Sequence, residues 1–283
     1  MRRPDWLKVR FGSGETFQHV KRQVNGNQLH TVCESARCPN LGECWSRGTA
    51  TFMILGNTCT RSCRFCNINV GKPTEYDLEE PARVAAAVKN MHVKHAVITM
   101  VARDDLRDGG AFIVAETIRK IKETVPECSI EALISDLKGK RDDLETVLAA
   151  KPDILNHNLE TVRRLQKDLR VQARYDRSLK ILEWARAAEF TTKSGIMVGV
   201  GERFNEIVEV MQDLRAVDCG ILTIGQYLPP TKAHYPLHRY YTPAEFADLR
   251  ELGFEMGFTH VESGPLVRSS YHAEEAITVP ADR

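Results

Sequence analysis

Six of the eight cysteines in the chain fall between positions 33 and 66, as two sets of three: Cys33, Cys38 and Cys44, then Cys59, Cys63 and Cys66. Thiolate is a soft ligand suited to iron–sulfur clusters and to zinc. A [4Fe–4S] cube wants one outside ligand for each of its four irons, so three thiolates leave one iron open. An open iron can take a substrate, a cofactor or a weaker side chain, and this separates a reactive cluster from a plain electron carrier. The density of such incomplete sites is the main chemical signal in the chain.

The second set stands as Cys-x3-Cys-x2-Cys in the loop GNTCTRSCRFCNIN, with Phe65 immediately before the last cysteine. Close spacing lets one tight loop wrap three corners of a cube. Structural zinc sites close with four ligands, commonly from two Cys-x2-Cys knuckles or Cys/His pairs, and only one x2 pair exists here. A cluster is therefore favoured over zinc. The first set, Cys-x4-Cys-x5-Cys, is flanked by Pro39 and Gly42 and is less specific taken alone. Cys128 and Cys219 fall at strand starts and read as small buried apolar side chains.

The elements that must position these residues show in the pattern from position 50 onward, where short β-rich apolar runs alternate with longer amphipathic ones. Strands are expected at 50–56, 95–101, 129–134, 153–158, 193–199 and 221–228, with a further one at 258–263. Helices are expected near 81–91, 110–125, 144–150, 178–189 and 203–217. Six βα units build a parallel sheet that curls without closing, since a closed barrel normally needs eight. The fold class expected is α/β, a partial (β/α)6 TIM-like barrel with irregular N-terminal and C-terminal extensions. The expected division is 1–49 for the extension bearing the first set, 50–263 for the barrel and 264–283 for a tail. Residues 1 to about 50 show little helix or strand period. Polar residues gather at or beyond successive strand ends, among them Arg103, Asp104, Asp136, His157, Glu202 and Gln226. In βα barrels that is the functional face.

Composition narrows the function classes. The chain has 283 residues, 42% of them hydrophobic, and its 39 Lys and Arg against 38 Asp and Glu leave a net charge of +1. Nothing global favours a nucleic acid or a membrane as partner. No run approaches the roughly 18 apolar residues of a membrane span, and the start carries no apolar stretch for a signal peptide. Cysteines clustered in so short a part of a large chain read as free thiols in a reducing, cytoplasmic setting rather than a disulfide scaffold. One basic stretch, 163–180, holds seven Lys or Arg against two Asp and reads as a solvated helix face or as a docking patch for an acidic carrier.

The loop around Cys59, Cys63 and Cys66 resembles that of the radical S-adenosylmethionine enzymes. The resemblance implies that the open iron binds the amino and carboxylate groups of S-adenosylmethionine and that electron transfer yields methionine and a 5′-deoxyadenosyl radical. With LHTVCESARCPNLGECW ahead of the loop, and DDLRDGGA (104–111), NHNLETV (156–162), TKSGIMVGVGE (192–202), GQYLPPT (225–231) and GPLVRSSYHA (264–273) behind it, the chain resembles the lipoyl synthase family from about Trp6 to Ala273.

The family resemblance implies two [4Fe–4S] clusters and S-adenosylmethionine as cofactors. It implies sulfur insertion at C6 and C8 of an octanoyl chain held on a carrier lysine, with two S-adenosylmethionine molecules used per lipoyl group. The resemblance makes a cluster on Cys33, Cys38 and Cys44 the sulfur donor. It is completed by a serine oxygen of the Arg268-Ser269-Ser270-Tyr271 motif, read as Ser270 with Ser269 as the alternative. Asp108, Gly109 and Gly110 are placed by the resemblance against the methionyl amine, and Asn158, Glu160, Met197 and Gly199 against the ribose, adenine or acyl chain. The implied partners are octanoylated domains of 2-oxoacid dehydrogenase E2 subunits and the glycine-cleavage H protein, with a reducing protein such as ferredoxin or flavodoxin. The competing readings are a radical enzyme that moves sulfur to another substrate and a zinc-bound or electron-transfer module.

Overall fold

The computed structural model describes residues 2–9, 12–74, 76–271 and 273–277. His272 and residues 278–283 of the expected tail, and Arg10 and Phe11 of the N-terminal extension, lie outside the described residues. The chain divides into two compact units. The N-terminal unit comprises Val9–Arg61 and Asn67–Ile154, and the C-terminal unit comprises Met1–Lys8, Ser62–Cys66 and Leu155–Arg283.

The N-terminal unit opens with helix α1 (Glu15–Gly26), strand β1 (His30–Thr31) and the short helices α2 (Val32–Ser35) and α3 (Leu41–Ser46). This departs from the irregular extension expected of residues 1 to about 50. The apolar positions of α1 are sparse, with Phe17 and the fully buried Val20 and Val24 set among polar residues. The helices α2 and α3 are too short to show a period and form because burying Cys33 and Trp45 stabilises them. Strand β2 (Thr51–Ile54) is buried at every residue, the mark of a strand covered on both faces. The two-residue strands β3 (Thr58–Cys59) and β4 (Asn69–Val70) pair in parallel around the second cysteine loop. Helix α4 (Glu80–Asn90), strand β5 (His95–Met100), helix α5 (Ala111–Thr124), strand β6 (Ser129–Leu133) and helix α6 (Arg141–Leu148) follow. Strand β2 pairs with β1 antiparallel and with β5 parallel, Thr51 opposite Val97, and β5 pairs parallel with β6, His95 opposite Ser129. The α5 face that packs inward is Ile113, Val114, Ile118 and Ile121 at helical spacing.

Strand β7 (Ile154–Asn156) lies where the two units divide. The C-terminal unit continues with α7 (Gln166–Leu169), α8 (Tyr175–Ala187), β8 (Thr191–Val198), α9 (Phe204–Ala216), β9 (Ile221–Gln226), α10 (Pro243–Glu255) and β10 (His260–Gly264). Strand β9 pairs in parallel with β8 and with β10, with Ile221 opposite both Lys193 and His260. Its core gathers Ile196, Val198, Leu214, Leu222, Ile224 and Phe246, and the partly buried Phe65 packs against it.

Helix α10 was not among the expected elements. Its inward side is only Phe246, Leu249 and Gly253, which leaves a weak periodic signal. A start signal is present nonetheless: Thr242 and Glu245 form a capping box around Pro243. The basic stretch 163–180 is largely taken up within the unit. Arg163 pairs with Asp176 and Asp213, Arg164 with Glu206 and Lys180 with Glu183, while Arg170 is buried with its guanidinium on the carbonyls of Asn158 and Leu159. Arg163, Arg164 and Lys180 stay about half exposed in these pairs, and Lys167 and Arg174 are exposed.

Candidate functional site

Cys33 rides on α2, whose N-terminus is closed by Thr31, with the Glu34 backbone N–H on its hydroxyl at 3.3 Å and the Glu34 carboxylate in return. The chain then turns through Arg37, at φ 51°, so that the Cys38 N–H donates to the Cys33 carbonyl at 3.0 Å. Cys44 lies on α3, next to Trp45, whose ring is 1% exposed and packs on Phe17 with centroids 5.5 Å apart. Cys38 acts on both of the other thiols, and Cys33 on Cys44. Burial pushes the Cys33 thiol up to about 11, the charge of Cys38 adds to the rise, and the Thr51 backbone and Trp45 indole oppose it. Burial pushes Cys44 up to about 12, with Cys33 and Cys38 adding. A compact all-thiol donor set of this kind fits a cube of iron and sulfide.

The second set is held differently, by polar contacts to its loop. In the N-terminal unit, Thr60 donates its backbone N–H and its hydroxyl to the Ala102 carbonyl, both at 2.9 Å, and accepts the Asp104 N–H at 2.9 Å. The Arg61 N–H points to Cys59 Sγ at 3.4 Å. The Arg61 guanidinium forks onto Asp104 with both contacts at 2.8 Å and reaches Asp136 at 2.5 Å. Burial opposes the charge, but the bonds to Asp104 and Asp136 carry the guanidinium above its usual range. Removing one partner of such a buried pair typically costs about 3–5 kcal/mol, because the other is left uncompensated. Asn67, just past Cys66, donates to the Ser35 carbonyl at the end of α2 at 2.8 Å.

In the C-terminal unit, Ser62 exchanges hydrogen bonds with Gln172, its N–H donating to Oε1 and its hydroxyl accepting from Nε2. The Arg64 N–H donates to the Leu169 carbonyl and its carbonyl accepts from Tyr235, both at 2.8 Å. The Cys66 N–H turns back to the Cys63 carbonyl at 3.1 Å. His234 reaches the Cys66 carbonyl through Nε2 at 3.2 Å while Nδ1 meets the Thr231 hydroxyl at 2.9 Å. A carbonyl oxygen only accepts, so Nε2 is the donor in that contact.

The remaining expected residues fall into two groups. Asp108 caps α5, one carboxylate oxygen on the Gly110 N–H at 3.0 Å and the other on the Phe112 N–H at 2.9 Å. Gly110 needs its glycine, since φ is +92° and a Cβ would sit 2.3 Å from Leu55 Cδ1. Gly109 makes the same left-handed turn at φ +63°. In the C-terminal unit, Asn158, Glu160 and Met197 come together. Asn158 Nδ2 donates to Glu160 Oε1 at 3.1 Å, and the Met197 N–H donates to the Glu160 carbonyl at 2.9 Å.

Asn158 Oδ1 is buried without a hydrogen-bond partner and lies 3.0 Å from where a Cβ on Gly195 would stand. An orphaned buried acceptor beside a bare backbone suits the hydroxyl groups of a ribose. Burial holds the Glu160 carboxyl above the usual carboxylate range, against the pull of Arg170, Asn158 and Arg268. Gly199 is packed rather than open, since a Cβ would meet Gln226 Nε2 at 2.2 Å and the Arg239 carbonyl at 2.5 Å.

Ser270 lies half-buried on the turn in which the Tyr271 N–H donates to the Arg268 carbonyl at 2.9 Å. That segment crosses β9 closely: a Cβ on Gly225 would be 2.1 Å from the Val267 carbonyl oxygen. His157 and the two remaining cysteines behave as structural residues. His157 bonds Ser178 at 2.9 Å, and Cys128 and Cys219 are buried. Among the described residues no group of three or more His, Cys, Asp or Glu is arranged about a single metal ion. A cube takes its ligands at separate corners, so the thiols that serve it stand further apart than those of one ion.

Arg61 and His234 are the site residues that sequence reasoning passed over. The partners of Arg61 lie 43 and 75 residues along the chain, and His234 meets Cys66 across 168. No local spacing signals either contact. Asp104 and Asp136 were visible as strand-end polar residues, but not their convergence on one arginine.

Residues 53–214 match the Radical SAM superfamily, and residues 1–38 match the N-terminal domain of lipoyl synthase of the Radical SAM family. The lipoyl synthase of Rubrobacter xylanophilus is 59% identical over 275 residues, 96% of this chain and 86% of that one. That of Bacillus cytotoxicus is 55% identical over 279 residues, 98% of this chain and 94% of the other. Among solved structures, methylornithine synthase superposes with a TM-score of 0.57 at 16% identity, covering 78% of this chain and 73% of that one. Streptococcus suis SuiB bound to S-adenosylmethionine gives 0.58 at 13%, covering 76% and 51%. These likenesses bear on the fold, which is the α/β partial barrel expected. Among the described residues, no helix is long and apolar enough to cross a membrane.

Proposed function

The chain belongs to the lipoyl synthase family of the radical S-adenosylmethionine superfamily, and from that premise we propose how its own residues divide the work. It is an enzyme that inserts sulfur into the octanoyl chain of an octanoylated carrier protein, with iron–sulfur clusters and S-adenosylmethionine as cofactors. The bound cofactors supply a carbon radical able to take hydrogen from C6 and C8, and sulfide to replace it. Side chains alone do not suffice, because those carbons lie too far from the carbonyl for acid–base chemistry to reach.

Cys59, Cys63 and Cys66 hold the cluster that meets S-adenosylmethionine, on a loop that Thr60, Arg61 and His234 keep in place. Cys33, Cys38 and Cys44 hold the second cluster, with Ser270 as its weak fourth ligand. A hard alkoxide is poorly matched to a soft-ligand site and leaves more readily than a thiolate, which suits a cluster that gives up its sulfide. Asn158 offers its unpartnered Oδ1 to the ribose of the cofactor and Glu160 stands beside it. Met197 lines the same face, and Asp108, Gly109 and Gly110 orient the methionyl end through their backbone. Gly199 sets the turn behind that face. Residues 1–49 carry the first set, 50–263 the barrel and 264–283 the tail with Ser270.

The observation that carries this reading is the first set. Three thiols share one small helical extension, close enough that Cys38 raises both Cys33 and Cys44, in addition to a complete radical loop elsewhere. The carriers are octanoylated E2 domains of 2-oxoacid dehydrogenases and the glycine-cleavage H protein. The electrons come from a ferredoxin or flavodoxin, in a reducing cytoplasm. Incubating the reconstituted, reduced protein with S-adenosylmethionine and an octanoyl-lysine peptide should give a peptide heavier by two sulfur atoms. A protein that carries both clusters and cleaves S-adenosylmethionine but leaves the peptide mass unchanged would refute the reading.

A further inference from the structure

The segment Cys59-Thr60-Arg61 is pinned at consecutive residues. Thr60 is bonded through backbone and hydroxyl to the end of β5, and the Arg61 side chain, 4% exposed, is forked between Asp104 and the fully buried Asp136. Asp136 in turn accepts the Lys138 N–H at 3.1 Å, so the far end of the clamp is itself fixed by its own turn. A guanidinium presents its donors in a rigid plane, and a bidentate carboxylate fixes the direction of that plane as well as its distance. Burying such an ion pair gains little stability over packed apolar residues of the same volume. Orientation is what it supplies. The backbone of the same arginine directs its N–H at Cys59 Sγ, and hydrogen bonds to cluster sulfurs are among the factors that set a cluster's potential.

Resting on the reading that Cys59, Cys63 and Cys66 hold a cluster, we propose that Arg61 is the positioning residue for Cys59. Clamped by Asp104 and Asp136, it holds the chain after Cys59 so that the Arg61 N–H stays on the sulfur, and it thereby tunes the cluster bound there. Arg61 touches no reacting atom and acts through Cys59.

The test uses the full chain with Cys33→Ala, Cys38→Ala and Cys44→Ala combined, so that iron, about four atoms per chain, reports the second set alone. Into it go Arg61→Lys, Arg61→Gln and Asp104→Asn, with Arg186→Gln, from an exposed pair with Asp218 at 2.6 Å, as control. The readouts are iron content, the EPR signal of the reduced cluster, its midpoint potential and cleavage of S-adenosylmethionine. Arg61→Gln should shift the EPR signal and the potential and slow cleavage by about 10- to 100-fold, the usual scale for losing an outer-shell partner. Arg61→Lys keeps the charge without the fork and should fall between. Asp104→Asn should move the same readouts less, and Arg186→Gln should move none.

Retention of the unsubstituted EPR signal and potential in both Arg61→Gln and Asp104→Asn would overturn the clamp. If Arg61→Gln does not fold, Asp104→Asn decides alone, and an unchanged signal and potential there overturns it. A combined cysteine variant that takes up no iron with Arg61 intact would instead refute the cluster reading on which the clamp rests.

Discussion

The two cysteine sets are alike in composition and differ in what holds them. Cys33 and Cys44 ride on short helices stabilised by apolar burial, with Trp45 packed on Phe17. Cys59 and Cys66 lie on a loop held by polar contacts: Thr60 on Ala102, Arg61 on Asp104 and Asp136, His234 on the Cys66 carbonyl. Apolar support surrounds the first thiols with a low-dielectric medium, in which Cys33 and Cys44 titrate well above an ordinary thiol. Polar support braces the backbone of the second set and directs the Arg61 amide at Cys59 Sγ. Under the proposed division of labour, a cluster rebuilt after each use and one that keeps a constant potential would call for different mounts.

Trp45→Ala should be the most damaging way to probe the contrast. Deleting a fully buried indole costs about 3–5 kcal/mol. Urea unfolding should show that loss, and reconstituted iron should fall from about eight to about four atoms per chain with the second-set EPR signal retained. Equal loss from both sets would break the distinction. Gly110→Ala probes the other mount. It places a side chain at φ +92° and against Leu55, just upstream of the loop, at a cost of about 2 kcal/mol. Second-set iron should drop while first-set iron holds, read in proteins that carry one set at a time.

The mildest probe lies away from both sets. Arg164 holds the Glu206 carboxyl down to about 2, from an ordinary 4.5. A carboxylate depressed in the folded state contributes stability above its unfolded pKa, and that contribution is lost as pH falls from about 4.5 toward 2. Because Arg164 is half exposed, Glu206→Gln should cost only about 1 kcal/mol at neutral pH. In urea titrations of the cluster-free protein the gap to the parent should close across that window, and iron uptake at both sets should be unchanged.

The same contrast marks what could be read from residues alone. The strands of the barrel were legible because short runs such as HAVITM in β5 are β-rich and largely apolar. The cysteine spacings marked both candidate ligand sets. The helices that carry the first set were not legible, because α2 and α3 are four and six residues long and owe their form to Cys33 and Trp45 being buried. Helix α10 escaped through its narrow apolar face, although the Thr242 and Glu245 capping box marked its start. The polar brace of the second set was invisible for a different reason: Arg61 and His234 meet their partners across long stretches of chain, and ion pairs leave no periodicity.

The central claim is that the two sets divide the chemistry, one starting the radical and the other giving up its sulfur. Its most direct test measures 5′-deoxyadenosine and lipoyl product together from Cys33→Ala, reconstituted, reduced and supplied with S-adenosylmethionine and an octanoyl-lysine peptide. The account predicts 5′-deoxyadenosine with no sulfur inserted. Lipoyl product from that variant would contradict it.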